Sequence, residues 1–475
     1  MLSKSISVVF QFILLVGVVI FYLLVNDGFY SMNSVYILLS VVAGTLIIFF
    51  STEEDDSLRG YYYRPFLIFL FGYFVVFFQR YIDLALGLIG PDDAIFLKPS
   101  LIVKTLCMST AGYIVLILGY TLYQRRSDKS LDSHRVIYDV AFMRNCFRFA
   151  FVIFVLFKAE SLLRGEYSQE ELEQSAGGMS NYASILTIVT YMSLLSVSLN
   201  NSVVAGDKTI WYFLNEFGKS NIVITIIICL LYLIAGSRSH PFVIICSFGF
   251  ALCYIAKQRI ALWKIVVVVL IASSFLSFIG ATRGEKSASL ERKLEIMQLK
   301  EDMDNTILPS ILELSGSLYT FVHAVDYVPK QHDYLYGSFH FRNLLSTIPF
   351  SSRVTSQFLN QDKRYTSSDF FITHIIQGDD YTYGNGTCLN ADLYLNYGFA
   401  GIIICLFLLG WFMRSVEWNV FVGHIPSLIY LLFSLYIAGY VVIYSRFGFL
   451  GPINYIAFSL LLNYYCKHYR SHFVL

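Results

Sequence analysis

The stretch IVITIIICLLYLIAGSRSHPFVIICSFGFALCYIA, residues 222–256, decides the fold, because Arg238 is the only Asp, Glu, Lys or Arg in its 35 residues. About 20 apolar residues are needed to cross the hydrocarbon core of a bilayer. The stretch is too long for one crossing and barely enough for two, so it predicts a helical hairpin that turns at 236–241. Each arm has about 15 or 16 apolar residues, or roughly 24 Å of helix, so we expect the turn to lie below the outer surface of the membrane.

Arg238 is therefore expected in a sunken pocket with His240 and the hydroxyls of Ser237 and Ser239. A charge at that depth is costly unless a cavity, a partner or an anionic ligand satisfies it. The alternative is an arginine whose long side chain simply reaches the lipid headgroups. We favour the anionic ligand as the working hypothesis.

Composition predicts an all-α integral membrane protein, since 56% of the residues are hydrophobic and only 14% are charged. A net charge of +1 excludes the basic balance of a nucleic-acid-binding protein. The sequence contains no C-x-x-C pair, no metal-binding histidine spacing and no P-loop. We therefore predict no metal site, no cofactor and no nucleotide-driven activity.

Apolar runs predict about twelve transmembrane helices, at 6–25, 33–50, 65–79, 101–122, 146–158, 181–199, 221–235, 241–256, 262–281, 393–413, 425–444 and 448–466. Basic residues mark cytoplasmic loops, and they concentrate after the fourth and eighth spans and at both termini. Both termini are therefore expected in the cytoplasm. The organisation we predict is nine spans in 1–281, one large extracytoplasmic loop in 282–392, and three spans in 393–475.

The outer loop is too aromatic and apolar for a disordered segment, and loops of this length are usually functional or disordered. Its first part, 287–304, has the periodicity of an interfacial amphipathic helix. The part at 307–328 is apolar enough for a re-entrant or partly buried helix. The remainder, 330–392, has the composition of a surface that binds something polar.

Three arginines, Arg238, Arg283 and Arg446, are predicted on the outer side. A guanidinium is a planar fork of donors that suits phosphate oxygens, and several forks around one anion suit a diphosphate. Each arginine taken singly could instead be an interfacial anchor. Their coincidence on one face favours an anionic ligand.

Carboxylates and imidazoles in the outer loop are candidates for acid–base chemistry, because either group can take a proton from a hydroxyl. Taken one at a time, each is also consistent with a solvated loop residue. The residues are Asp379, Asp380, Asp392, His323, His332, His340 and His374.

A short pattern at the end of this loop consists of a glycine-rich turn at 383–387, the acidic Asp392, and Asn396-Tyr397-Gly398 with Gly401 opening a span. The pattern resembles the Wzy-type O-antigen polymerases, also called oligosaccharide repeat unit polymerases. Further matches are the short arginine motifs at 236–239 and 283–284, and the loop residues 336–337, 343–345 and 348–349. The quoted residues lie in the second half of the chain, and the first half matches in hydropathy alone. The family carries Glu where this chain has Asp392.

The resemblance implies a membrane-embedded, lipid-linked glycosyltransferase of the bacterial inner membrane. Such enzymes transfer a glycan from undecaprenyl diphosphate to a lipid-linked repeat unit at the periplasmic face, and a chain-length regulator is a candidate partner. Arginines would stabilise the leaving diphosphate without a metal. Asp392 or a loop histidine, here His340, would act as base, and Tyr394, Asn396, Asp379 and Asp380 would contact the acceptor or its sugars. The alternatives are an O-antigen ligase, which shares the donor, and a lipid-linked oligosaccharide flippase, which is a transporter.

Overall fold

Long apolar runs in this chain form α-helices, because a helix satisfies its backbone hydrogen bonds within one segment and can therefore lie in hydrocarbon. The computed structural model describes residues 2–25, 29–52, 64–123, 136–164, 179–205, 209–256, 267, 306–307, 312–348, 362–381, 384–421, 427–441, 443–469 and 471–473. Regular secondary structure in those residues is helical apart from two short strands.

The helices are α1 (Lys4–Leu24), α2 (Met32–Ser51), α3 (Pro65–Ala85), α4 (Pro99–Leu122), α5 (Val140–Leu163), α6 (Met179–Val204), α7 (Ile210–Phe217), α8 (Lys219–Ile234), α9 (Ser239–Ala256), α10 (Leu312–Ser315), α11 (Leu318–Tyr327), α12 (Ser338–Leu345), α13 (Ser368–Gln377), α14 (Leu389–Phe421), α15 (Leu428–Tyr440) and α16 (Ile453–Tyr469). Short 3₁₀ turns occupy Ala94–Phe96, Lys363–Tyr365 and Tyr444–Arg446. The strands are β1 (Val136–Tyr138) and β2 (Ser471–Phe473).

The described residues contain 8 helices long and apolar enough to cross a membrane, or 9 if α7 and α8, bent by 77°, form one span. Every predicted span overlaps one of the helices except 262–281, which lies outside the described residues apart from residue 267. The multi-span all-α architecture is therefore confirmed. The number twelve stays a prediction, as does the amphipathic helix at 287–304, which also lies outside the described residues.

The predicted hairpin is formed by α8 and α9, with a turn at Ala235–Arg238. This turn is shorter than the predicted 236–241, because α9 already begins at Ser239. Pro241 falls in the first turn of α9, where a missing N–H is tolerated. Arg238 therefore lies at the tip between two long apolar helices, half-buried.

The centre of the bundle is the contact between α4 and α14, and α4 is buried along almost its whole length. Gly119 and Gly410 allow the two backbones to approach. A Cβ on Gly119 would lie 2.1 Å from the Phe407 carbonyl oxygen, and one on Gly410 would lie 2.0 Å from the Leu116 carbonyl oxygen. On Gly112, a Cβ would lie 2.6 Å from the hydroxyl of a tyrosine on α3. Small residues at such positions are how membrane helices pack closely without a hydrophobic driving force.

A buried polar cluster lies at one end of the contact between α4 and α14. The Glu417 carboxylate accepts from the Phe66 backbone N–H at 2.8 Å, at the start of α3, and from the Tyr120 hydroxyl at 2.6 Å. Arg64 lies 3.5 Å from the same carboxylate, and Arg414 donates to the Tyr120 hydroxyl at 3.0 Å. This cluster was not predicted from the sequence. Its members join α3, α4 and α14.

The first helix contacts the residue before the segment 124–135, and the C-terminal strand pairs with the residues that follow this segment. Lys4 Nζ donates to the Tyr123 carbonyl at 3.2 Å, and β1 pairs antiparallel with β2. The two ends therefore lie at the same end of the bundle. Which side of the membrane this is stays a prediction.

The fifth span begins earlier than predicted. Residues 140–145, assigned to a basic loop, belong to α5, and Arg144 Nε donates to the Glu216 carbonyl at 2.9 Å. Glu216 lies in the last turn of α7, where a cation complements the helix dipole. Arg144 is thus engaged with a helix end rather than lying in a loop.

Candidate active site

The candidate site begins at a break in α14. Gly398 has φ 67° and ψ −159° inside this helix, a conformation that is essentially restricted to glycine. A Cβ at this position would lie 3.1 Å from the ring of Tyr334, which packs against the break. The motif Asn396-Tyr397-Gly398 therefore marks a kink near the N-terminal end of the helix.

The outer loop attaches to the helix at this kink. The Leu335 backbone N–H donates to the Leu395 carbonyl at 2.9 Å. Gly337 follows in a left-handed conformation, φ 83°, and begins α12 as its N-terminal flanking residue. A Cβ on Gly337 would lie 2.6 Å from the Tyr397 hydroxyl, so only glycine allows this approach. The consequence is that α12 lies against the first turns of α14.

This attachment brings the two predicted catalytic residues together. His340 Nε2 lies 2.8 Å from Asp392 Oδ2. Asp392 lies in the first turn of α14, which begins at Leu389, four residues before the predicted start at 393. The side chains come from elements 52 residues apart in sequence, and both are buried, with 6% of His340 and 2% of Asp392 exposed.

Two further groups hold the Asp392 carboxylate. The Phe449 backbone N–H donates to Asp392 Oδ2 at 2.7 Å, and Asn396 Nδ2 lies 3.5 Å from Asp392 Oδ1 while donating to the Asp392 backbone carbonyl at 2.8 Å. A Cβ on Gly448 would lie 3.4 Å from the carboxylate, in ordinary van der Waals contact, so the 447–451 turn packs directly against Asp392. A carboxylate fixed by a backbone donor and an imidazole has little freedom to turn.

The second ring nitrogen of His340 faces a hydroxyl. His340 Nδ1 lies 3.0 Å from the Tyr397 hydroxyl, and 41% of Tyr397 is exposed. Asp392, His340 and Tyr397 thus form a chain from a buried carboxylate to the surface of the site. Tyr397 had no predicted role beyond being the aromatic residue of its motif. Its position beside a glycine kink was the available signal.

The predicted diphosphate-binding arginines are only partly described. Arg446 lies in the 3₁₀ turn that precedes Phe449, and its Nε donates to Ser317 Oγ at 2.9 Å. Arg238 lies at the tip of α8 and α9. Helix α9, which follows Arg238, packs closely against α15, which precedes Arg446. A Cβ on Gly439 of α15 would lie 3.0 Å from the Val243 carbonyl oxygen of α9. Arg283 lies outside the described residues.

The four predicted sugar-binding residues divide into two pairs. Tyr394 and Asn396 are buried, and the Tyr394 hydroxyl donates to the Val328 carbonyl at 3.1 Å, so both side chains are engaged inside the protein. Asp379 and Asp380 are exposed on the outer loop.

A small charged network surrounds Asp379. His374 Nδ1 lies 3.1 Å from its carboxylate, and an Arg364 nitrogen lies 3.9 Å away. Hydrogen bonds from Arg364 hold the pKa of Asp362 below its usual value. Among the described residues, no hydrogen bond or ion pair joins this network to His340 or Asp392.

The outer loop is anchored on α3 and α4. Asp83 accepts from the Ile307 backbone N–H at 3.1 Å and from Thr306 Oγ1 at 2.8 Å. Lys98 Nζ lies 2.7 Å from Asp326 at the end of α11. The stretch predicted as re-entrant contains the short helices α10 and α11, of 4 and 10 residues, neither long enough to span a bilayer.

Comparison with known proteins decides the family. A protein-family model described as O-antigen polysaccharide polymerase Wzy matches residues 6–467. The chain belongs to the O-antigen polysaccharide polymerase Wzy family. The match covers nearly the whole chain, including the first half, where the sequence analysis found similarity only in hydropathy. No curated protein and no solved structure matches significantly.

The polymerase is therefore a multi-pass membrane protein that joins lipid-linked oligosaccharide repeat units into O-antigen. This is the function predicted from the motifs at 236–239, 283–284, 336–349 and 383–401. The ligase and flippase alternatives gain no support from the match.

Proposed function

We propose that the polymerase transfers the growing glycan by direct attack of an acceptor hydroxyl, with the His340 and Asp392 pair as general base and without a metal ion. The observation that carries the proposal is the 2.8 Å contact between His340 Nε2 and Asp392 Oδ2 in a buried site. A carboxylate on one ring nitrogen fixes the imidazole tautomer and leaves the other nitrogen free to accept a proton.

The reaction makes one bond and breaks one. The hydroxyl oxygen on the non-reducing sugar of the acceptor attacks the anomeric carbon of the donor glycan. The bond from that carbon to the diphosphate oxygen breaks, and undecaprenyl diphosphate leaves with the bonding electrons. The hydroxyl proton passes to His340 Nδ1, and Asp392 stabilises the imidazolium that forms.

The exposed side of the pair suggests where the acceptor binds. Tyr397 contributes the hydroxyl that faces His340 Nδ1, at 3.0 Å, and it is the most exposed member of the chain of contacts. In our proposal the acceptor hydroxyl replaces the Tyr397 hydroxyl on Nδ1. Asp379 and Asp380 contact sugar hydroxyls further out on the loop, while Tyr394 and Asn396 support the start of α14.

The leaving diphosphate is assigned to Arg446, Arg238 and Arg283. Arg446 belongs to the same short segment as Phe449, whose N–H binds Asp392, so a diphosphate held by Arg446 would lie next to the base. Guanidinium groups bind phosphate oxygens through two parallel hydrogen bonds and neutralise the charge that develops as the bond breaks. This chemistry needs no Lewis acid.

The orientation we propose places the candidate site on the periplasmic side of the inner membrane and both termini in the cytoplasm. The support is the richness in Lys and Arg of the loops at the opposite end. A compartment reporter fused after Gln361 should be active only outside the cytoplasm, and one fused after Lys129 only inside. Two reporters active on the same side would contradict this orientation. A chain-length regulator would then meet the outer loop.

Reconstitution tests the reaction. Purified protein in lipid should convert undecaprenyl-diphosphate-linked repeat units into longer lipid-linked glycans, resolved as a ladder on a gel, without nucleotide sugar or ATP. Activity should survive chelation of divalent cations, and a strict requirement for metal would remove the arginine mechanism. Transfer only to lipid A core would indicate a ligase, and movement of unchanged substrate across the bilayer would indicate a flippase.

A further inference from the structure

Lys158 is a buried lysine inside a membrane-spanning helix. It lies in α5, five residues before the end at Leu163, or about 8 Å along the helix axis. Only 5% of Lys158 is exposed, and within the part of the chain that the structure describes no carboxylate pairs with its ammonium. An unpaired charge at this depth is destabilising and is retained in proteins chiefly for function.

The surroundings of Lys158 connect it to the tip that carries Arg238. One helical turn before Lys158, the Phe154 ring lies 5.6 Å from the Tyr232 ring of α8. Tyr232 in turn stacks on His240 of α9, with ring centroids 4.3 Å apart. The last turn of α5, which follows Lys158, also packs against α8. Lys158 therefore lies beside the turn between α8 and α9.

The local backbone turns Lys158 inward. Residues Val155–Ala159 form a π-helical turn within α5, a feature that is rare and often occurs at functional sites. The Ser161 hydroxyl donates to the Lys158 carbonyl at 2.9 Å, which satisfies a backbone acceptor in this turn. The neighbouring Leu156 is 70% exposed and so faces the lipid. Lys158 faces the protein interior instead.

We infer that Lys158 and Arg238 together form a binding pocket for the phosphate oxygens of a polyprenyl diphosphate. The ammonium supplies a compact point charge, and the guanidinium supplies a planar fork. The lipid-facing side chains next to Lys158 leave the isoprenoid tail in the bilayer while the diphosphate enters the bundle. This inference rests on the proposed function, because it extends the assignment of Arg238 to the diphosphate.

The test is a binding titration of undecaprenyl diphosphate against the full-length protein in phosphatidylcholine nanodiscs. Lys158→Met should raise the Kd about tenfold to a hundredfold, the range for one charge-assisted hydrogen bond. The matched control is Lys330→Met, which changes an outer-face lysine whose side chain is 48% exposed, and its Kd should equal that of the wild type. Thermal stability without ligand should be equal or higher in Lys158→Met, because an unpaired buried charge is removed.

Three results would overturn the inference. Lys158→Met could keep the wild-type Kd, or it could lose stability in the absence of ligand, which would make the lysine structural. Phosphatidylglycerol could compete with undecaprenyl diphosphate on an equal basis, which would make the pocket a general headgroup site. His340→Gln separates this inference from the proposed function, since it should bind undecaprenyl diphosphate as the wild type does while losing polymerisation.

Discussion

The backbone N–H of Leu335 donates to the carbonyl oxygen of Leu395 across 2.9 Å, and this bond attaches the outer loop to α14. The attachment lies next to Gly398, where the helical backbone is interrupted. Five residues after Leu335, His340 reaches Asp392. The kink, the loop attachment and the buried pair therefore form one structural unit.

Replacing Gly398 with alanine should damage this unit, because the new Cβ must adopt a glycine-only conformation against the Tyr334 ring. We expect a loss of about 1–3 kcal/mol in stability, and a larger loss of polymerisation as His340 moves from Asp392. Thermal unfolding and the gel ladder measure both effects. Gly249→Ala in α9, where a Cβ has nothing within 4 Å, is the control and should unfold at or above the wild-type temperature. Wild-type ladders from Gly398→Ala would show that the kink is dispensable.

The kink itself was visible in the sequence only as a glycine in a motif. Hydropathy predicts spans well, because the length of an apolar run is fixed by the thickness of the bilayer. It predicts the ends of helices less well, as α5 and α14 show by beginning at Val140 and Leu389. Loop attachment through Leu335 depends on a contact 60 residues away, for which one sequence carries no local signal.

The close approach of α4 and α14 gives a second prediction. Gly119→Ala should lower the unfolding temperature sharply or prevent folding, because its Cβ would lie 2.1 Å from a backbone carbonyl oxygen that no rotamer change can move. Overpacking of this kind costs about 1–3 kcal/mol or more. Gly44→Ala in α2, which meets nothing within 4 Å, should behave as the wild type. Equal unfolding temperatures for the two variants would contradict the packing described for α4.

Glu417 gives a third prediction. Glu417→Gln removes the carboxylate that pairs with the buried Arg64, and removing one partner of a buried ion pair costs about 3–5 kcal/mol. The exposed pair of Glu160 with Arg164 supplies the control, since its loss costs about 0–1 kcal/mol. Unfolding temperatures in one detergent compare the two variants. Equal stability of Glu417→Gln and Glu160→Gln would show that the buried ion pair contributes no more to stability than the exposed one.

His323 in α11 predicts a pH dependence. Burial lowers the pKa of His323 from its usual 6.5, so the unfolded segment binds the proton more readily than the folded one. The stability of α11 should therefore fall as pH falls below about 6.5 towards the lowered pKa. Amide exchange of 318–327, corrected for intrinsic rates, should be faster at low pH in the wild type and unchanged in His323→Gln. Equal slopes in both proteins would exclude His323 as the cause.

Some residues of the candidate site were predicted from the sequence, but their contacts were not. Asp392 and His340 were selected by residue type and motif, and their contact depends on tertiary structure. Tyr394 and Asn396 were selected from the same motif, yet their side chains point inward, because helix registry decides which face each residue occupies. Lys158 is the last residue of the predicted span 146–158, because a lysine marks the end of an apolar run in hydropathy, whereas the helix continues to Leu163.

The most direct test of the account is the turnover of reconstituted polymerase carrying His340→Gln, Asp392→Asn or both changes. Each single variant should fold normally and lose about a hundredfold or more in rate, which is the contribution of a general base. The double variant should lose little beyond that, because the two residues act as a unit. His332→Gln, in the same outer loop, is the control and should retain wild-type turnover. Near wild-type polymerisation by a folded His340→Gln protein would contradict the account.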